Sequence, residues 1–265
     1  MATLVVIDPG HGATDPGASG SGLLEKDTTL AIAKQVAKHL ESMGISVRLT
    51  RSDDKVFSTD KAADLKARAD FANRLGADYF ISIHSNAGGG TGFESYIAKS
   101  AASQETGRRQ TIVHNEVASV FTNAGLPDRG KKTANFAVLR QTTMPAILLE
   151  FGFIDQARDA SYLKDPAFLD AVAQAVARGT ARALHVESAP SPAPVPSNKP
   201  ISKYYTDILP GMEWAKEGVD TLYELGIMRG DGQGAFRPSD PLTRLEAAVV
   251  IHNTIEYLRK KMGTS

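Results

Sequence analysis

Residues 4–27 read LVVIDPGHGATDPGASGSGLLEKD, and the parsing of that stretch decides the fold. Leu4 is followed by three β-branched residues, Val5, Val6 and Ile7, so the run reads as a short buried strand. After Pro9 come five glycines, at 10, 12, 17, 20 and 22, which keep the segment an open loop without a packed interior. From about Glu25 the pattern changes, with Leu30, Ala33, Val36, Ala37 and Leu40 recurring at helical spacing. His11 therefore falls just past a strand end and Glu25 at a helix start. In an α/β fold, ligands and metals are held at such places.

The same alternation continues outward. Further strands are expected near 46–50, 79–83, 93–97, 136–139 and 146–150, and helices near 26–42, 60–75, 105–124 and 167–184. That order predicts an α/β fold, a mostly parallel sheet flanked by helices. Residues 188–200, SAPSPAPVPSNKP, are rich in proline and read as an extended spacer. The spacer separates a domain at 1–187 from a small α-helical module at 201–265.

Composition narrows the function. A length of 265 residues suits one mid-sized domain and one small one, and 42% hydrophobic residues suffice for a core. Lys plus Arg and Asp plus Glu number thirty each, so no charge excess favours nucleic acid or an anionic membrane. There is no cysteine, so a metal must be held by histidines and carboxylates. No apolar run reaches membrane-spanning length. The first strand begins at Leu4, which leaves no room for a secretory signal and predicts synthesis in the cytoplasm.

Two more stretches carry chemistry. In YFISIHSNAGG, 79–89, His84 ends an apolar strand as His11 follows the first one. In AILLEFGF, 146–153, Glu150 continues an apolar strand, where a carboxylate must be exposed at the end or paired. Parallel strands end on one edge, so His11, His84 and Glu150 can converge, and Glu25 can close on the same point. Two His and one Glu on zinc, with a fourth position for water and a second carboxylate for proton transfer, form a known catalytic arrangement. Each residue also has a plainer reading alone: a histidine after a strand can be a surface cap, and Glu25 can answer the helix dipole. His39 and His185 read as structural. His114 and Glu116 form H-x-E, but a zinc deaminase would need a cysteine pair. The Gly-rich loop is no Walker loop, and there is no H-E-x-x-H.

Taken together, VVIDPGHGATDPGASG…LLEKD, VRLTR, ISIHSNA…GFESY and AILLEFGF resemble the zinc-dependent N-acetylmuramoyl-L-alanine amidases of the type 3 family, in order and over nearly all of 1–187. The resemblance implies zinc bound by His11, Glu25 and His84, with Glu150 as the catalytic carboxylate. It implies cleavage of the peptidoglycan amide between the lactyl group of muramic acid and L-alanine. Asn86 and Glu94, near the site by motif position, either hydrogen-bond the glycan or stem peptide or serve as a turn residue and a strand charge. Two departures, Ala13 where a second Gly is common and Phe151 where a small residue is frequent, remove no ligand.

The tail carries Trp214, Val219, Leu222 and Leu225 at helical spacing, then a turn-rich loop, then a T-x-x-E capping box from Thr243 to Glu246. By residues alone it is a helical hairpin for interaction. It resembles one S-layer homology repeat, in YTDI, EWA, GDG, FRP and LTRxE, with Leu245 in place of the usual Ala. That likeness implies binding to a secondary polymer of Gram-positive walls, with Asp207, Trp214 and Arg244 as contacts. The order of modules looks like a phage endolysin; a host autolysin, a zinc peptidase acting within the stem and a non-enzymatic wall-binding protein are the alternatives. The family commonly folds as three repeats, and this chain has one. Leu245, Ala248, Ile251, Ile255, Leu258 and Met262 form an apolar seam on the second helix, widened by Val249 and Tyr257. Either the first helix covers that seam, or tails of several chains associate as a homo-oligomer.

Overall fold

The computed structural model describes residues 3–99, 104–186, 200, 202–208, 213–230, 234–236 and 243–262. The chain divides into two compact units, residues 1–191 and 192–265. The proline-rich stretch lies outside the described residues except for Pro200.

In the first unit the chain runs β1 (Leu4–Pro9), β2 (Ser19–Gly20), β3 (Leu23–Leu24), α1 (Glu25–Ser42), β4 (Ser46–Leu49), α2 (Lys61–Leu75) and β5 (Tyr79–Asn86). It continues through β6 (Phe93–Ala98), α3 (Gln104–Asn123), β7 (Asp128–Ala134), α4 (Ala137–Arg140), β8 (Ala146–Phe153), α5 (Ala157–Leu163) and α6 (Pro166–Ala183). Six strands form one sheet in the order β4-β1-β5-β8-β6-β7, and β2 pairs with β3 as a small ribbon. Every pairing in the large sheet is parallel except β6 with β8, so the sheet is mixed and mostly parallel. Val5, Ile7, Ile81, Ile83, Ile147 and Leu149 point into a core closed by α1, α3 and α6. Val6, Phe80 and Leu148 point the other way, towards Ala72 of α2 and Val138 and Leu139 of α4. Covering on both faces explains the near-continuous apolar strands.

Helix ends follow local chemistry. Asp60 caps α2 by accepting from the Ala63 N–H at 2.7 Å, and Gly76 ends that helix in the left-handed conformation. Asp165 caps α6, with Pro166 in its first turn.

Residues 136–139, expected as a strand, instead supply the N-cap Phe136 and the first three residues of α4, with Arg140 N–H bonded to Phe136 O at 3.0 Å. Val138 and Leu139 are buried by docking on the sheet face rather than by joining it. The sixth strand is β7, DRGKKTA, whose charge reads as loop. It is an edge strand, where charged residues are tolerated and block further pairing.

The second unit contains α7 (Glu213–Glu224) and α8 (Arg244–Met262). Tyr205, Ile208 and Val219 make its small core, with Tyr204 and Phe236 against it. The capping box forms: Thr243 N–H donates to Glu246 Oε2 at 2.8 Å, and Glu246 N–H to Thr243 Oγ1 at 3.2 Å. The apolar seam of α8 is not covered by the first helix. Leu245, Val249, Ile251, Ile255, Leu258 and Met262 are between 44% and 76% exposed, while Asn253 faces inward and donates to Ile227 O.

Candidate active site

The carboxyl edge of β1, β5 and β8 carries the site. His11 follows β1 with φ +63°, a left-handed conformation that strains a non-glycine residue by ~1–3 kcal/mol. It is fastened there by Arg68, whose Nη2 donates to His11 O at 2.8 Å, and by the Gly12–Asp15 bridge. Ala13 is also left-handed, at φ +43°, which gives the physical reason why glycine suits that position. Asp54, accepting from Ala13 N–H, and Lys26, donating to Ala13 O, hold the strained turn. Gly10 is needed for close approach, since a Cβ there would lie 2.3 Å from the His84 ring.

The three residues meet. One ligand atom each from His11, Glu25 and His84 lies within 4.8 Å of the other two. His11 Nε2 is 3.1 Å from Glu25 Oε2 and His84 Nδ1 is 3.0 Å from Glu25 Oε1. Glu25, the first residue of α1, also accepts the N–H groups of Ala18 and Ser85, at 2.8 and 3.1 Å. Burial opposes ionisation of Glu25, but the two imidazoles more than offset it and hold its carboxyl far below the usual range. Burial likewise disfavours the His11 imidazolium, yet Glu25 and Asp15 raise its proton affinity on balance. Asp15 Oδ2 sits 2.9 Å from His11 Nδ1 and fixes which ring nitrogen faces Glu25.

Glu150 pairs with His84 in the β5–β8 register. Burial first, then the charges of Glu25 and Glu94, push its carboxyl well above the ordinary value. Its Oε2 is buried with no hydrogen-bond partner among the described residues. These four residues and Asn86 line one groove of about 560 Å³, together with Lys61 and Phe136. Glu94 stands behind Asn86. It is buried and accepts from Asn86 Nδ2 at 2.6 Å, Tyr96 Oη at 2.7 Å, Arg129 Nε at 2.7 Å and Lys132 Nζ.

Beneath the loop lies a buried network that sequence reasoning did not single out. Asp8 accepts from Arg68 Nη1, Thr50 Oγ1 and Ser82 Oγ, and Arg51 donates to the carbonyls of Pro9, Gly10 and Lys26. Burial opposes the charge on Asp8, but Arg68 and the Thr50 hydroxyl hold its carboxyl below the usual range. The signal in sequence was slight: an Asp closing an apolar strand, and Asp64 and Arg68 four apart on one helix.

Two other histidines have structural partners. His39 reaches Asp170 across α1 and α6, and His114 is buried between Ser95 and Asp128. In the second unit Asp207 accepts from Phe236 N–H at 2.8 Å. Trp214 and Arg244 lie at the starts of α7 and α8, and their side chains are outside the described residues.

A buried carboxyl beside a His/Glu/His cluster, on the carboxyl edge of an α/β sheet, defines a hydrolase-type site. The particular family follows from comparison with known proteins. The chain belongs to the N-acetylmuramoyl-L-alanine amidase family, whose model matches residues 5–182. Residues 204–248 match the S-layer homology domain. The chain is 47% identical over 184 residues to the N-acetylmuramoyl-L-alanine amidase CwlM of Bacillus licheniformis, covering 69% of each. It is 41% identical over 206 residues to the endolysin of Bacillus phage SPP1, covering 76% of this chain and 74% of that one. Its fold is similar to the catalytic domain of the amidase CwlV from Bacillus (Paenibacillus) polymyxa var. colistinus. That match has a TM-score of 0.63 at 38% identity and covers 70% of this chain and 99% of that one. The chain is thus a peptidoglycan amidase with an S-layer homology domain. Among the described residues no helix is long and apolar enough to cross a membrane.

Proposed function

We propose that the protein hydrolyses the amide between the lactyl group of N-acetylmuramic acid and L-alanine, with one zinc ion on His11, Glu25 and His84 and with Glu150 as proton carrier. One arrangement carries the reading: three ligand atoms within 4.8 Å of one another, one strand away from a buried carboxyl with an unpaired oxygen. Two imidazoles and a carboxylate suit zinc and leave a coordination position open. When bound, zinc supplies a Lewis acid that polarises the substrate carbonyl and acidifies water.

The chain's own residues do the rest. Asp15 holds the His11 ring with Nε2 turned inward, and the Ala18 and Ser85 N–H groups fix the Glu25 carboxylate. Glu150 takes the proton of the attacking water at its unpaired Oε2 and delivers it to the leaving amine of L-alanine. Its raised proton affinity suits it to the second, acidic half of that task. Asn86, in the groove wall, hydrogen-bonds the glycan or the stem.

In this reading residues 1–187 are the catalytic domain, 188–200 the spacer and 201–265 the wall-binding module, with Asp207, Trp214 and Arg244 on a secondary polymer of Gram-positive walls. The S-layer homology match associates the protein with the cell wall, and its biological role is that of a phage endolysin; a host autolysin would use the same chemistry. The exposed seam of α8 takes a second copy of the chain. The observation behind that pairing is that Ile251, Ile255, Leu258 and Met262, on one side of the helix, are each at least 44% exposed.

The test is digestion of purified walls. Free amino groups of L-alanine should appear, with no new reducing ends, and a chelator should stop the reaction until zinc is added back. Amino groups from other stem residues would make the enzyme a zinc peptidase, and reducing ends a glycosidase. Turnover insensitive to chelation would remove zinc from the mechanism.

A further inference from the structure

β7 contains a one-residue bulge behind the groove wall that Asn86 and Phe136 form. Phe93 pairs with Asp128 and Ser95 with Lys131, so two steps along β6 match three along β7. The extra residue falls at Arg129–Gly130, and Gly130 takes the left-handed conformation, φ +85°, that such a bulge uses. In an unbroken strand residues 129 and 132 would face opposite sides of the sheet. The bulge resets the alternation, and both side chains reach the same carboxylate, Glu94. Glu94 in turn stands opposite Glu150 in the β6–β8 register.

Both cations are also held from below. The Arg129 guanidinium lies 4.7 Å from the Phe153 ring centroid, and the Lys132 ammonium 5.7 Å from that of Tyr96. Tyr96 packs edge-on against Phe136, which lines the groove, and Asn86 of the groove wall donates to Glu94. Each cation is about one-third exposed. Only Nε of Arg129 is engaged; its Nη1 and Nη2 make no hydrogen bond among the described residues, and Lys132 spends one of three donors. Shared between the two cations, the Glu94 carboxylate leaves them a shelf with free donors.

Resting on the amidase reading above, we infer that Arg129 and Lys132 form a carboxylate subsite for the stem peptide, taking the free α-carboxylate of the γ-linked glutamate that follows L-alanine. That group lies two residues along the stem from the scissile amide, a reach of roughly 7 Å. β7 lies two strand spacings, roughly 10 Å, from the strand of Glu150, and the Arg129 and Lys132 side chains reach back across that gap. Glu94 positions the two cations and does not touch the substrate. The subsite distinguishes a stem with a free carboxylate from one whose second residue is a carboxamide, because a neutral amide offers the shelf no charge-assisted acceptor.

Soluble muropeptides of the two kinds, free of wall-polymer phosphate, provide the test on the full-length enzyme. Wild type should hydrolyse the carboxylate form with a kcat/KM about 10- to 100-fold higher than the carboxamide form, the difference residing in KM. Arg129→Gln and Lys132→Met should each cut that ratio severalfold, mostly by raising KM for the carboxylate form, and unfolding temperatures identify any variant that has lost its fold. If Arg129→Gln fails to fold, Lys132→Met and the wild-type ratio still decide. Equal wild-type rates on both stems, a preference for the carboxamide, or variants that slow both stems alike would overturn the subsite and leave the amidase reading intact. Release of no L-alanine amino group from either stem would overturn both.

Discussion

Replacing Arg68 with methionine tests whether the buried network beneath the His11 loop sets both stability and metal affinity. Arg68 is 2% exposed. Its guanidinium donates from Nε to Asp64 Oδ2 at 2.7 Å, from Nη1 to Asp8 Oδ1 at 2.9 Å and Pro9 O at 2.8 Å, and from Nη2 to His11 O at 2.8 Å. Methionine fills much of the volume but leaves Asp8 buried without its counter-charge. Removing one partner of a buried ion pair costs ~3–5 kcal/mol. Asp8 keeps the Thr50 and Ser82 hydroxyls, which places the loss at the lower end, about 3 kcal/mol. Against a total of ~5–15 kcal/mol the domain stays folded with a lowered urea midpoint. The His11 carbonyl also loses its anchor, so the left-handed turn relaxes and zinc affinity drops by about 10- to 100-fold, the usual effect of losing an outer support. Urea titration and competition with a chromophoric chelator measure the two effects. In Asp8→Asn/Arg68→Met no charge is stranded between the two, so the double variant should lose at least 1 kcal/mol less than the sum of the single variants, an interaction of ~1–3 kcal/mol. A loss below about 1 kcal/mol with zinc affinity unchanged would refute the reasoning, as would strict additivity.

Other expectations are independent of that one. Glu150→Gln should bind zinc normally in equilibrium dialysis while kcat falls by roughly 10²- to 10⁴-fold, since the proton carrier is lost; a near-normal rate would reassign the role. Asp15→Asn removes the carboxylate charge that orients and polarises the His11 ring and should weaken zinc binding by about tenfold or more with little change in unfolding midpoint. Burial opposes ionisation of Glu94, but Lys132, Tyr96 and Arg129 lower its carboxyl from 4.5 to about 2. Its contribution is therefore complete above pH 4.5 and lost as the pH falls towards 2, so the stability gap between wild type and Glu94→Gln should close over that interval in acid titrations of unfolding. Light scattering at micromolar concentration should give a dimer or trimer for the full chain and a smaller mass for Ile255→Lys; a monomeric wild type would show that the α8 seam has another occupant or none.

What the sequence alone determined was whatever short-range chemistry encodes. Apolar runs at 4–7, 79–83 and 146–149 specify buried parallel strands, because a sheet covered on both faces tolerates near-continuous apolar residues. His11, Glu25, His84 and Glu150 were legible because they interrupt apolar patterns just past a strand, within the carboxyl halves of two others and at a helix start, where polar groups need a purpose. The T-x-x-E box at Thr243 was legible because capping is local. Tertiary structure decided the rest. Residues 128–134 are strand because β6 offers them an edge, not because their side chains favour it, and 136–140 turn helical because the sheet face, not a neighbouring strand, buries Val138 and Leu139. Arg68 holds His11 from 57 residues away, and Lys132 meets Glu94 from 38. No local pattern records such pairings: a charged side chain in a helix or an edge strand is ordinarily solvated, and only the packed fold removes the water and supplies the partner.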